Sequence, residues 1–206
     1  LALQKHLWFH KNGTTSGLSG VRRSYALSAW IDLSKKYPRA RSALLRVRNA
    51  AARSVWREKD PWQPFHDVSA INDYLGEEQH TRTLFLELNR RSFKRAKRVY
   101  SLVEPMLVRS GDYRLCGKYL DADRFSTIRR LYRVNLRLAK DPSIGADYLQ
   151  SAQERLSETT TRHIALLFLN GRIDEAKRVG RQARRVWRDA GFRFRIASAE
   201  RGEFSA

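Results

Sequence analysis

One cysteine, Cys116, is the only thiol in this chain. It excludes an internal disulfide and makes a reducing cytoplasm the expected compartment. Long apolar runs are missing too. A membrane-spanning helix needs ~18 consecutive apolar residues, and the longest run here, residues 164–169, has the length of one helix face. The opening residues 1–8 carry Lys5 and His6 without a cleavage pattern, so no signal peptide is expected. Residues 13–20 are rich in glycine but have no preceding strand and no following Lys-Ser/Thr, so neither common phosphate-cradling loop is present. Nucleophile-elbow and kinase patterns are also lacking. No enzyme and no cofactor is expected from motifs. A site assembled from distant residues of a helical bundle is the third function class left open.

Acidic residues are scarce beside basic ones. There are 21 Asp and Glu against 41 Lys and Arg, for a net charge of +20. Most of the excess is arginine, whose planar fork suits phosphate and carboxylate. Such a field attracts polyanions. The 42% of hydrophobic residues is ordinary globular stock, so disorder is not the reason for the charge. The charge is uneven along the chain. Residues 1–57 carry +11, residues 58–87 carry −5, residues 88–140 carry +11 and residues 141–206 carry +3. The acidic belt at 58–87 either neutralises neighbouring basic faces within the fold or repels polyanions from one side.

Apolar spacing predicts an all-α protein of about ten helices. Val21, Tyr25, Ala29 and Leu33 mark the first helix, with Ser19 as its cap. It stops before Tyr37-Pro38. Ala40, Ala43, Leu44, Val47 and Val55 mark the second, and Asp60-Pro61 and Pro64 break it. Residues 61–67 read as a packed loop. Val68, Ile71 and Leu75 start a third helix, and Leu84, Phe85 and Leu88 mark a fourth. A fifth runs from Ser92 through Pro105, which should kink it. A short sixth holds Cys116, a buried core position. Asp123 is placed to cap the seventh, and Asp141-Pro142 ends it. The eighth opens near Ala146, the ninth spans 160–169, and the tenth runs from Ile173 to about Arg188. One domain is expected over 1–197, with a fraying polar tail at 198–206.

An internal repeat is the most specific signal. Residues 81–111 align without gaps to 161–191. Ala96-Lys97-Arg98-Val99 matches Ala176-Lys177-Arg178-Val179, and Gly111 matches Gly191. A third copy sets Tyr37, Ala40, Ala43 and Val47 against Phe93, Ala96, Val99 and Val103. Helix-hairpin packing explains the pattern. A large residue at the turn wedges two helices apart, and an alanine three residues later lets the second approach its neighbour. The alternative is that any antiparallel bundle reuses alanine-lined hairpins. Gly171, Ile173, Ala176 and Ala183 resemble the second half of a tetratricopeptide repeat. That resemblance implies an α-solenoid of stacked hairpins that acts as a protein-binding scaffold. Gly180 departs from it, standing where the family has an aromatic, and so do offsets of 56 and 80. Trp8-Phe9-His10, Gly20-Val21-Arg22, Tyr37-Pro38, Phe65-His66-Asp67-Val68 and Tyr74-Leu75-Gly76-Glu77 look like segments of uncharacterised bacterial proteins. That likeness implies no activity.

Metal chemistry has little support. Glu77-x-x-His80 has a carboxylate-histidine spacing used in di-iron bundles, but no second copy exists. The basic stripes are the better candidates. Arg129, Arg133 and Arg137 fall at i, i+4, i+8, with Arg130 beside them, and are expected opposite Phe125, Ile128 and Tyr132. Arg178, Arg181, Arg185 and Arg188 form a second stripe on a helix expected to have no following neighbour. Lys94 and Arg98 belong to a third cluster with Arg90, Arg91, Arg95 and Lys97. Its position at a helix N-terminus is unfavourable to the dipole. The expected function is a non-enzymatic helical-repeat interaction module that binds an acidic protein or peptide segment. The alternative is a DNA- or RNA-binding protein using phosphate-backbone contacts.

Overall fold

The computed structural model describes every residue except 14–16, 122, 142–143, 146 and 205–206. The expected loop at 14–16, the break at Pro142 and the helix start at Ala146 lie outside the described residues. Among the described residues there are twelve helices and no strand. They are α1 (Ala2–Asn12), α2 (Ser19–Arg23), α3 (Tyr25–Lys36), α4 (Pro38–Arg57), α5 (Trp62–Leu75) and α6 (Glu78–Arg91). The chain continues with α7 (Phe93–Arg109), α8 (Tyr113–Gly117), α9 (Arg124–Leu138), α10 (Asp147–Leu169), α11 (Ile173–Val186) and α12 (Ala190–Ala199). None is long and apolar enough to cross a membrane.

The chain divides into two compact units, Leu1–Ser110 and Gly111–Ala206. In the first, α5 packs against α2, α3, α4, α6 and α7, and α1 lies on α3. Phe65, Val68 and Ile71 give α5 its buried face. In the second, α8, α9, α11 and α12 all pack on α10. Ile164, Ala165, Leu166 and Leu167 are all buried there, four consecutive residues on a helix enclosed from several sides.

The three expected hairpins are α3–α4, α6–α7 and α10–α11. Ala40, Ala96 and Ala176 are each 0% exposed, at equivalent places on the second helix. Thr81 and Thr161, which match on the first helix, are both buried as well. The turn residues do not wedge. Tyr37, Phe93 and Ile173 are 39%, 49% and 42% exposed, because a side chain at the start of a helix points back over the turn and not into the core. The Gly111–Gly191 match is also not structural. Gly111 is a left-handed turn residue with φ +74°, whereas Gly191 lies in the first turn of α12.

Several expected boundaries move. The first predicted helix is two helices, broken at Ser24. Val21 and Tyr25 are therefore exposed, and the buried face of α3 is Leu27, Trp30, Ile31 and Ser34. Leu18 occupies the cap position before α2, so Ser19 is already helical. Residues 62–67 are the opening turns of α5, not a loop. Pro64 sits where its missing N–H has no helical partner to lose. The helix α7 runs through Pro105 unbroken. Asp123 occupies the cap position of α9, but its side chain makes no cap bond. The predicted eighth and ninth helices are one, α10. The tail holds more structure than expected. Ser198 and Ala199 end α12, and Phe204 stacks on Tyr113 with ring centroids 5.2 Å apart.

Candidate anion-binding cleft

Several arginines of the first unit are tied down by the acidic belt. Arg22 of α2 is buried and pairs with Asp67 of α5, and its Nη1 donates to the His10 carbonyl at 3.0 Å. Arg23 reaches the same carboxylate at 3.4 Å. Arg48 of α4 pairs with Glu77 and donates to the Asn72 side chain at 3.3 Å. Arg109 donates to both Glu78 oxygens at 3.0 and 2.9 Å. These bases come from both flanking basic blocks, so the belt neutralises within the fold, the first of its two expected roles.

The cluster at the start of α7 has the same fate. Arg95 donates to the Val55 carbonyl at 2.7 Å and to the Glu58 carbonyl, closing the carbonyl end of α4. That end is the negative pole of a helix, so the anion this crowded terminus meets is part of its own fold. Arg91 lies over the Trp56 ring at 5.2 Å. Arg98 pairs with Asp60 at 3.6 Å. Lys94 is exposed.

A cavity of about 390 Å³ in the first unit brings together Arg23, His66, Asp73, Glu78 and Arg109. Burial is the main force that pushes the His66 imidazole down to about 4, and Arg23 adds to it. Burial, with a hydrogen bond that the protonated Asp73 donates to Glu78, raises the Asp73 carboxyl. Both arginines of this cavity are already occupied, by Asp67 and Glu78. The apolar groove between α1 and α3, lined by Leu1, Trp8, Phe9 and Ala26, offers no cluster of like charge.

The second unit differs. A cleft of about 460 Å³ opens between α9 and α11. Arg129 and Arg133 line it from α9, and Arg185 and Gln182 from α11. Tyr132, Leu136 and Val186 supply apolar surface. None of these lining residues is acidic, and among the described residues none of the three arginines makes a salt bridge. Two stripes that the sequence showed separately thus share one site. Their helices are held by α10, which packs on both. Pooling three guanidiniums beside apolar side chains weakens solvent screening and favours an incoming anion.

The remaining candidates lie outside the cleft. Arg137, Arg178 and Arg181 are exposed, and Arg178 also reaches Glu175 at 3.6 Å. Arg188 leaves the row, because α11 ends at Val186 with Trp187 extended. The helix α11 does have a following neighbour, although Arg178, Arg181, Arg185 and Arg188 all stay exposed as expected. The helix α12 packs on it, and Glu200 forks onto Arg184 at 2.9 and 2.8 Å. A Cβ at Gly180 would meet the Glu200 carboxylate, which would have to shift from its place beside Arg184. On α9, Arg129, Arg133 and Arg137 flank the buried row and do not oppose it. The outward row is Leu131, Val134 and Leu138, 57%, 44% and 42% exposed. That row was visible as i, i+3, i+7 spacing. It stayed hidden because α9 carries two apolar rows, and spacing does not say which is covered.

Glu77 and His80 approach to 3.1 Å, but among the described residues no group of three or more His, Cys, Asp or Glu could hold a metal ion. No protein-family model, no curated protein and no solved structure matches the chain.

Proposed function

We propose that this chain is a non-enzymatic interaction module and that the α9–α11 cleft binds an acidic protein segment. The observation that carries the reading is the cleft itself: Arg129, Arg133 and Arg185 converge from two helices with no carboxylate among the lining residues. An isolated trio of guanidiniums repels itself until an anion enters, and a bidentate carboxylate is a matched partner. Tyr132, Leu136 and Val186 favour a protein segment over a nucleic acid, since phosphate contacts need no apolar floor. The nucleic-acid reading rests on the +20 charge and on the exposed row of Arg178 and Arg181. Within the same proposal the fold is a degenerate tetratricopeptide-like set of hairpins, supported by the sealed alanines at 40, 96 and 176. The single, buried Cys116 supports a reducing cytoplasm as its compartment.

The test is fluorescence anisotropy with a labelled Asp/Glu-rich peptide and with duplex DNA across a salt titration. Replacing Arg129, Arg133 and Arg185 together with Gln should weaken the peptide about tenfold or more. Unchanged peptide affinity removes the cleft from the reading. Tighter DNA binding with a steep salt slope replaces the acidic segment with a nucleic acid.

A further inference from the structure

The cleft between α9 and α11 gathers more positive charge than a carboxylate can match. Arg129 and Arg133 reach it from α9, and Arg185 and the Gln182 amide from α11, so donors stand on both walls and no acid stands among them. None of the three arginines makes a salt bridge among the described residues. A carboxylate is planar, carries one charge and accepts one guanidinium fork edge-on. One Asp or Glu side chain therefore leaves two arginines unmatched. Several acids crowded into about 460 Å³ repel each other as the arginines do. A nucleic-acid phosphate also brings only one charge. A phosphomonoester differs from all of these. It concentrates a charge of about −2 and three terminal oxygens on one tetrahedral centre. Those oxygens point in three directions and accept forks from two walls at once.

We propose that the cleft receives a phosphorylated side chain of the acidic segment, held between Arg129 and Arg133 on one wall and Arg185 on the other. The proposal rests on the acidic-segment reading and names the group at its centre. Tyr132, itself buried, and Leu136 form apolar surface on the α9 wall that suits the carbons bearing the phosphate. Arg137 follows Arg133 by one turn, and Arg181 precedes Arg185 by one turn. Both are exposed outside the cleft, where carboxylates flanking the phosphorylated residue can reach them. Any pH dependence near neutrality then comes from the ligand and not from the protein. No His, Asp or Glu lines the cleft. His163, the one histidine of residues 111–206, stays neutral there because burial pushes it down to about 3.

The experiment measures anisotropy of one labelled peptide, flanked by Asp and Glu, with either phosphoserine or Glu at its centre, against the full chain. Inorganic phosphate and duplex DNA are the competitors. The phosphoserine form should bind about tenfold tighter than the Glu form. That preference should shrink about fourfold from about pH 7.5 to about pH 5.5, because the phosphate takes up its second proton near pH ~6. Arg129→Gln, Arg133→Gln and Arg185→Gln together should weaken both forms and erase the preference. If the parent binds both forms equally while the arginine variant weakens both, the phosphate is wrong and the acidic segment stands. If the variant weakens neither, the acidic-segment reading itself is wrong. A preference that survives in the variant places the phosphate elsewhere on the chain and overturns the assignment to this cleft. A preference that ignores pH means that a monoanion suffices and overturns the dianion. If inorganic phosphate displaces the phosphoserine form as well as the unlabelled peptide does, the occupant is a free ion and the inference fails. It also fails if duplex DNA displaces the peptide more readily than the unlabelled peptide does, which makes the occupant a nucleic acid. Should the triple variant melt early, the pair Arg133→Gln and Arg185→Gln, both exposed and one from each wall, carries the same comparison.

Discussion

The two units of this chain are both basic, +12 over residues 1–110 and +8 over residues 111–206, and they differ in which arginines find partners within the fold. In the first, Arg22, Arg48, Arg95, Arg98 and Arg109 each meet a carboxylate or a helix carbonyl end. In the second, Arg172 and Arg184 are paired, yet Arg129, Arg133 and Arg185 face an open cleft. The larger net charge therefore does not say where arginines gather beside one cleft without a carboxylate among its lining residues. What counts is how many acids fold back onto the bases, and the belt at 58–87 lies in the first unit. The matched segments Ala96-Lys97-Arg98-Val99 and Ala176-Lys177-Arg178-Val179 make the same point. Their alanines seal equivalent contacts, while Arg98 finds Asp60 across a loop and Arg178 finds Glu175 within its own turn.

The largest effect expected is on the charge core of the first unit. Asp67→Asn leaves Arg22 buried, facing His10 and Arg23 without its carboxylate. A urea melt should show a loss of about 3–5 kcal/mol. A loss near zero would mean that the arginines of this unit are as free as those of the cleft, and the contrast would collapse.

Next come the sealed alanines. Ala96→Leu and Ala176→Leu should each cost about 1–3 kcal/mol through overpacking. Similar losses in the two variants support equivalent hairpins. A normal melt for Ala176→Leu alone would break the equivalence.

The next effect is nil at neutral pH and appears only on acidification. His163 in α10 is buried, and its Nδ1 has no hydrogen-bond partner among the described residues. Burial first, and Arg124 and Arg172 next, push its imidazole down to about 3. The unfolded chain takes up a proton near 6.5 that the folded chain refuses. The stability is therefore complete above about pH 6.5 and falls as pH drops towards 3, by about 1.4 kcal/mol per pH unit from this group once well below 6.5. The variant His163→Leu should show a shallower acid limb in melts between pH 6.5 and 4. An unchanged limb would assign the acid loss to other groups.

The smallest expected effect on stability belongs to the cleft. Replacing Arg129, Arg133 and Arg185 with Gln should shift the melt by no more than about 0.5 kcal/mol, since the three make no salt bridges among the described residues. A loss of several kcal/mol would show that the cleft arginines hold the fold as those of the first unit do.

Much of this architecture was legible because it is local. Helices announce themselves by spacing, and the alanines at 96 and 176 stood out because only a small residue permits a close helix contact. Boundaries at Ser24 and within 61–67 were not legible. Ser24 breaks a helix without a proline or glycine, and Pro64 sits harmlessly in a first turn. The helix α12 escaped because Phe192-Arg193-Phe194-Arg195-Ile196 alternates like a strand. Its Phe192 and Ile196, four apart, are the buried pair.

The cleft divides along the same line. That Arg129 and Arg133 share a flank, and that Arg185 lies outside the buried face of α11, follows from helical periodicity alone. That these flanks face each other depends on α10 packing on both helices, a relation between residues about 50 positions apart. Which arginines stay unpaired is likewise a tertiary outcome. A guanidinium reaches whatever carboxylate or carbonyl the packing brings near, so Arg184 is claimed by Glu200 while Arg185, the next residue, is left to the cleft. Sequence determined the helices, their buried stripes and the sign of the field. Only tertiary structure decided which charges cancel within the fold, because cancellation depends on distance in space and not on order along the chain.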